Sequence, residues 1–533
     1  MTVRASRPGA AAALLACCLP HLASQGCASA AARRSHAENA LAQLGTDLVA
    51  ATRIPGVNRA SWGIVVDSLD RHERLFDLNA RTLFVPASIA KLVSVATAAE
   101  AVGWDYRFPT TLLATGSISQ GTLSGDLVIV GSGDPSIGGR GGADLSEFVA
   151  AVRAAGVTRI EGRIVGDDDG LEEPRPQLAW AWDDIGYPAG ALFGALNFAE
   201  NRTVVSVAPG RVVGGPATVA GDSRAVGRPI INRTVTAPVG TAAVMWPEQR
   251  PGEPSLTIAG SIPLDAPAMQ LGVSAGNPTR WFADVLRARL IEDGVEIIGE
   301  AVDIDDLAPP PDRHGATPLF TYNSPTLADI ARPLLKESIN LYGEALMRLN
   351  ADKGAFPTND AALDGLQKRL ASWGVADGSY QLVDGSGLSR RDAISPEAIM
   401  TVLQRMSDPS DSSRFLAALP IAGVDGSLAA RMKGTAAEGN LRAKTGTMSN
   451  VRSLAGYVTD RDGEQLAFVI VINNFEGSSA AANQAIDAIA VRLAEFTRMT
   501  QPGGSHTDSH ANNQESTIVN QQRIRDPEIK NAR

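Results

Sequence analysis

At 533 residues the chain exceeds what one ordinary hydrophobic core supports, so two to four domains are expected. Its 44% hydrophobic and 20% charged residues are a globular composition, unlike that of a disordered or membrane chain. Lys+Arg 48 against Asp+Glu 58 leaves a net charge of -10, and no basic tract offers a footprint for nucleic acid or anionic lipid.

Residues 1–30 read as a signal peptide. Arg4 and Arg7 form a positive start, Ala10 to Ala23 is an apolar stretch too short to span a bilayer, and Ala28-Ser29-Ala30 is a small-residue cleavage site. Export to the periplasm is therefore expected. A lipoprotein signal at Cys17 is the minor alternative, because Leu15 fits its middle position poorly. Cys17, Cys18 and Cys27 all lie in this leader, so the mature chain is left without disulfides, thiol catalysis or Cys-metal sites. Only His72 and His314 fall in the expected folded body, and no HExxH occurs, which argues against zinc hydrolysis.

Ala37 to Thr52 has helical spacing, Trp62 to Asp67 reads as a strand, and Pro86 opens a helical stretch, Ala87 to Val102, closed by Gly103. From Thr110 onward short β-like runs (Asp126 to Val130, Arg163 to Val165, Val204 to Val207) alternate with Gly and Pro, and Pro309-Pro310-Pro311 reads as a linker. Helical text returns from Thr326 to Leu349. Leu441 to Lys444, Ser453 to Val458 and Gln465 to Asn473 read as antiparallel strands, with a hairpin at Asp462-Gly463. A last amphipathic helix, Ala481 to Arg498, aligns Ile486, Ile489, Leu493 and Phe496. The tail 499–533 is polar and aperiodic, so it is expected to be disordered. The predicted fold is mixed α/β. One domain is split between 35–109 and 319–498, around a large β-rich insert, 110–318.

Three motifs carry chemistry. Ser88-Ile89-Ala90-Lys91 sits at a helix start, and a spacing of three puts the amine on the same face as the hydroxyl, one turn along. Free N–H groups there favour a developing oxyanion, and a lysine of lowered pKa can take the serine proton. Ser338-Ile339-Asn340 offers a hydroxyl to relay a proton and an amide to hold substrate backbone. Lys444-Thr445-Gly446-Thr447 lies on a strand whose edge can pair with an extended peptide, with Gly446 allowing close approach. Taken alone, Ser88 is a helix cap and Lys444 a solvated strand residue, and K-T-G arises by chance in roughly one such chain in ten. The three in this order are the signature of penicillin-recognising serine enzymes. Gly272-Val273-Ser274-Ala275-Gly276 also matches a nucleophile elbow. Its only candidate histidine, His314, lies 40 residues on, so it reads as a Gly-rich entry to a helix from Pro278 to Ile291.

Ser88 precedes Ser338 by 250 residues, a gap that resembles the class C low-molecular-mass penicillin-binding proteins, the D-alanyl-D-alanine carboxypeptidase/endopeptidases of the DacB type. Gly131 to Pro135, Trp180 to Asp184, Lys336 to Glu344, Asp384 to Ser389 and Gly426 to Leu428 are similar to that family, although Gly343 and Asp392 depart from it. The resemblance implies a transpeptidase-like domain of antiparallel sheet and flanking helices, with an insert of one or two small domains, the inner at about 205–262. It implies Ser88 as acylated nucleophile, Lys91 as its base, Ser338 and Asn340 as relay and positioning groups, and Lys444 as holder of the network's charge. The backbone N–H groups of Ser88 and Thr447 would form the oxyanion hole, and Thr445 and Thr447 would bind a terminal carboxylate. Asp184, walled by Trp182 and Tyr187, would bind the free amine of a diaminopimelate-type peptide. The implied partners are peptidoglycan peptides and β-lactams, and the reaction needs no metal or cofactor. A β-lactamase-like hydrolase and a non-catalytic penicillin-binding sensor are the alternatives.

Overall fold

The computed structural model describes residue 2 and residues 36–498, apart from 141 and 251. The leader with its three cysteines and the tail 499–533 lie outside the described residues. The fold is mixed α/β with antiparallel sheets.

Its centre is a five-stranded antiparallel sheet in the order Glu73–Leu78, Ser61–Ser68, Gln465–Asn473, Val451–Thr459, Arg442–Met448. The two ends of the chain meet in it, with Ser61 opposite Asn473 and Ser68 opposite Leu466. The inner strands Ser61–Ser68 and Gln465–Asn473 carry nearly continuous apolar runs because both faces are covered. Ile64, Val66, Phe468, Ile470 and Ile472 face one core, shared with the helix over 36–51 and the helix Ser479–Ala494. Val65, Val469, Val471, Ala455 and Tyr457 face the other, built on the helix Ala90–Val102. Ile486, Ile489 and Leu493 of the last helix are fully buried, each contributing about 2 kcal/mol of burial free energy. Phe496 is buried too, but the helix has already ended at Ala494.

The helix Ala90–Val102 is buried on all sides from Ala90 to Ala99, and its many alanines let neighbours pack close. Helical text between Thr326 and Leu349 resolves into two helices, Leu327–Glu337 and Asn340–Arg348. The break is Ser338, which takes a left-handed conformation (φ 63°) that ends the first helix.

The inserted region opens and closes on paired strands. Pro109–Ala114 runs antiparallel to Thr317–Asn323 in a five-stranded sheet ordered Ala301–Asp303, Ile164–Asp167, Leu127–Val130, Pro109–Ala114, Thr317–Asn323. The expected return to the first domain at 319 therefore falls inside a strand of the insert, because the ladder to Pro109–Ala114 holds that strand to residue 323. Further in, two three-stranded sheets, spanning Arg202–Ala208 to Met269–Ser274, enclose a small core of Val205, Val207, Ile258, Ile262 and Val273. The ladder of Met269–Ser274 on Arg202–Ala208 carries this unit beyond 205–262 on both sides.

Ser274 ends a strand and is 2% exposed. Its hydroxyl donates to the Ile185 carbonyl and accepts from the Arg228 guanidinium, so it has structural partners and no base. His314 is exposed in the loop beyond the prolines. Among the described residues no helix is long and apolar enough to cross a membrane.

Candidate active site

Ser88 stands in a short 3-10 turn, Ala87–Ile89, that runs directly into the helix carrying Lys91. Ala87 has φ 50°, a strained value for a residue with a Cβ, and the surroundings hold it there. Ser453 donates its hydroxyl to the Pro86 carbonyl (2.7 Å), and Gly387 lies so close that a Cβ on it would come within 2.1 Å of the Ala87 oxygen.

Lys91 is completely buried, with Nζ 2.8 Å from Ser88 Oγ, 2.7 Å from Asn340 Oδ1 and 2.7 Å from the Ser386 carbonyl. Two of these partners can only accept. Asn340 is oriented by donating its Nδ2 to the Ala189 carbonyl (2.8 Å), which leaves Oδ1 to face the amine. A neutral amine has two N–H donors and one lone pair, so satisfying both carbonyls aims the lone pair at the Ser88 hydroxyl. Burial pushes Lys91 down to about 7, against the opposing pull of Asp384, Glu344 and Asp392. The base is thus in contact with the nucleophile and poised near neutrality.

A second pair stands opposite. Lys444, also fully buried, donates to Ser338 Oγ (2.9 Å) and to the Thr445 carbonyl (2.7 Å). Burial, then the nearby Lys91, holds its amine well below the ordinary lysine value. The left-handed Ser338 turns its hydroxyl toward this strand, and Asn340 begins the next helix toward Lys91. One short break in helix geometry thereby serves both lysines.

Beneath Lys91 lies a carboxylate layer. Asp384 accepts from the backbone N–H groups of Ser386, Gly387 and Ser389 and from Trp180 Nε1 (2.8 Å), fixing the loop that presents the Ser386 carbonyl to Lys91. Glu344 is fully buried and accepts from the Gly385 and Ser386 N–H groups; burial, then Asp384, raises it to about 7. Asp392, where the resembling family favours Asn, accepts from the Val383 N–H. Burial, then the nearby Asp384, pushes it well above the carboxylate range. Sequence motifs flagged Asp384 and Trp180 only as familiar text, since their contact spans 204 positions.

These groups open onto a cleft of about 670 Å³ whose lining includes Ser88, Ser338, Asn340, Ser427, Thr445 and Thr447, together with Asp183, Asp184, Arg140 and Arg202. Ser427 accepts from the Thr445 hydroxyl (2.7 Å) or donates to it, a contact no local pattern signals. Beyond a bridge between Ile421 and Arg442, the outer side of the strand Arg442–Met448 has no neighbouring strand among the described residues, so its backbone is available to an extended peptide. Gly446 plays a different part from the one expected. A Cβ there would meet Ser453 Oγ at 2.0 Å and the Pro86 carbonyl at 2.8 Å, so the glycine makes room for the nucleophile's turn, and it does not line the cleft.

Asp184 does line the cleft, half-buried; burial, then the adjacent Asp183, raises its pKa, while Arg390 opposes the rise. Trp182 and Tyr187 are not cleft-lining residues. Trp182 is 48% exposed, whereas Trp180 is buried on Asp384. Among the described residues, the acidic groupings close enough to hold an ion lie in the inserted region, not in this cleft.

A family model described as the D-Ala-D-Ala carboxypeptidase 3 (S13) family matches residues 44–496. The D-alanyl-D-alanine carboxypeptidase of Actinomadura sp. (strain R39) is 33% identical over 477 residues, covering 87% of each chain. The D-alanyl-D-alanine carboxypeptidase DacB of Haemophilus influenzae is 26% identical over 424 residues, 78% of this chain and 85% of that one. The fold is similar to the crystal structure of penicillin binding protein 4 (dacB) from Haemophilus influenzae, with a TM-score of 0.74 and 23% identity, over 84% of this chain and 99% of that one.

Proposed function

The chain belongs to the D-Ala-D-Ala carboxypeptidase 3 (S13) family, and from that premise we propose that it is a serine-type carboxypeptidase and DD-endopeptidase acting through an acyl-enzyme on Ser88. The observation that carries this reading is the contact of a buried Lys91 amine, poised at about 7, with the Ser88 hydroxyl.

Ser88 Oγ attacks the carbonyl carbon of a D-Ala–D-Ala bond while its proton passes to Lys91. The charge that develops on the carbonyl oxygen is taken up by the backbone N–H groups of Ser88 and Thr447. As the C–N bond breaks, the proton taken by Lys91 is passed to the departing nitrogen through the Ser338 hydroxyl, which Lys444 holds, so Lys91 is neutral again. Water then attacks the ester, with Lys91 again as base, and Ser88 leaves as the free hydroxyl. Thr445 and Thr447 hold the carboxylate of a terminal D-Ala. The endopeptidase cut is the same step with the leaving nitrogen on the neighbouring stem peptide of a cross-link. β-Lactams enter the same first step and stay on Ser88. Asp184 binds the side-chain amine of a diaminopimelate-type stem peptide by a charge-assisted hydrogen bond. The reading of residues 1–30 as a signal peptide supports a periplasmic site of action; N-terminal sequencing of the mature protein, expected to begin after Ala30, tests it.

The test is incubation with purified cross-linked and uncross-linked wall peptides, read by mass spectrometry, beside labelling with a fluorescent penicillin. Loss of the terminal D-Ala, splitting of dimers and covalent label are expected for the native protein and absent in Ser88→Ala. Ser274→Ala should keep all three. Label that survives Ser88→Ala, or disappears only in Ser274→Ala, overturns the assignment. Prompt release of hydrolysed penicillin with no wall-peptide product would place the protein with the β-lactamases.

A further inference from the structure

The inserted region holds a second concentration of charge, remote from the chemistry of Ser88. Its strand Ile164–Asp167 runs parallel to Ala301–Asp303, with Gly166 opposite Asp303. Both chains turn at the same end of the sheet, one through Asp168, Asp169 and Gly170, the other through the 3-10 turn Ile304–Asp306. Ligand atoms of Asp168, Asp303 and Asp305 consequently lie within 4.8 Å of one another, and so do those of Asp169, Glu173 and Asp305, which joins the two groups.

Proximity of acids alone says little, but Asp168 is not a surface residue. It is 2% exposed. One of its oxygens accepts from the Thr279 hydroxyl, at the start of the helix Pro278–Glu292, and the other, Oδ1, is buried without a hydrogen-bond partner. Buried carboxylate oxygens are ordinarily paired, because leaving one dry and unpartnered is costly. Asp303 is 5% exposed and accepts from Asn277 and from the Asp305 N–H, neither of which cancels its charge. Among the described residues no cationic side chain forms an ion pair with Asp168, Glu173, Asp303 or Asp305. Arg313 is engaged with Asp167 and Asp169, and Arg280 with Asp284 and Asp306.

We propose that this cluster is a binding site for a hard divalent cation of the calcium type, held by Asp168, Asp303 and Asp305 with Glu173 and Asp169 at its open side. The donors are all oxygens, which disfavours zinc or copper. They come from two turns and a loop, not a rigid octahedral cage, which suits the larger and more variable calcium shell over magnesium. The ion has a structural task. The chain leaving Asp168 runs through Leu171, packed into the core on Phe193, and Glu172, which accepts from the Asn359 N–H. It continues to Trp180 on Asp384 and to Asp184 at the cleft. A cation at its root anchors this connection between the insert and the active-site loop.

The experiment is calorimetric titration of Ca2+ into the full chain freed of metal by chelation, with thermal unfolding and hydrogen exchange followed in parallel. One ion per chain is expected, with a raised unfolding temperature and slowed exchange across residues 168–184. Asp305→Asn, at an exposed position, should weaken binding at least tenfold, as should Asp168→Asn, which keeps an acceptor for Thr279; Asp222→Asn, exposed elsewhere, should not. Absence of saturable binding at millimolar calcium overturns the proposal, and so does binding that survives both cluster variants or leaves exchange at 168–184 unchanged. Ser88 labelling is independent of this result, so failure here leaves the catalytic reading standing.

Discussion

If Lys91 is the base, acylation must follow its neutral fraction. Burial depresses the amine from 10.5 to about 7, so the competent form is present above that pH and lost below it. A midpoint at about 7 makes the neutral fraction ~0.09 at pH 6 and ~0.91 at pH 8, so the second-order rate of penicillin acylation should rise about tenfold between them. Lys91→Arg removes the base, because a guanidinium does not deprotonate in this range, and Lys91→Met removes it without leaving a buried charge. Both should lower acylation by about 100-fold or more, the usual span for a lost general base, and both should lose the pH step. Glu344→Gln should move the midpoint to lower pH, since the Glu344 charge opposes the depression of Lys91. Stopped-flow acylation with a chromogenic β-lactam, on variants whose folding is checked by circular dichroism, measures all of these. A native rate flat from pH 6 to 8, or near-native acylation by both Lys91 variants, would refute the reasoning.

Gly446→Ala should abolish penicillin labelling and lower the unfolding temperature, because its Cβ lands 2.0 Å from Ser453 Oγ; adding Ser453→Ala should restore part of the loss, as the Pro86 carbonyl at 2.8 Å still crowds it. Trp180→Phe deletes a buried hydrogen-bond donor to Asp384, so stability should fall by about 0.5–1.5 kcal/mol in chemical denaturation, together with slower acylation. Asp184→Asn should cut kcat/KM for amine-bearing stem peptides by about tenfold, as one charge-assisted hydrogen bond supplies, while penicillin acylation barely changes. With the native protein, that preference for the amine should weaken in acid, because burial raises the Asp184 pKa and its charge is lost earlier as pH falls. Equal losses on both substrates would make Asp184 structural.

The chemistry of the site was legible wherever it is written in local spacing. A spacing of three positions, across a 3-10 turn that runs into the helix, brings Lys91 to Ser88, so their contact follows from local helical geometry, and the apolar strands near the end announce the sheet that carries Lys444. Family resemblance to known motifs supplied Ser338 and Asn340, but helical periodicity ran straight through them. The left-handed turn that separates them depends on packing against Lys444 and Lys91, 106 positions after Ser338 and 249 before Asn340. The boundary read at 319 cuts the return strand Thr317–Asn323 because strand pairing with Pro109–Ala114 leaves no mark in its own residues.

Only the tertiary structure decided what makes the lysine a base. Its lowered pKa comes from complete burial, and its direction comes from Asn340 and from a Ser386 carbonyl held by Asp384 and, through Asp384, by Trp180. Likewise Gly446 reads as an opening for substrate until the chain is folded, when Ser453 and Pro86 are found occupying the space its side chain would take. Local sequence specifies which groups are available and which face of an element they share. Desolvation, lone-pair direction and steric room are properties of neighbours hundreds of residues away, and they exist only once the fold has brought those neighbours into contact.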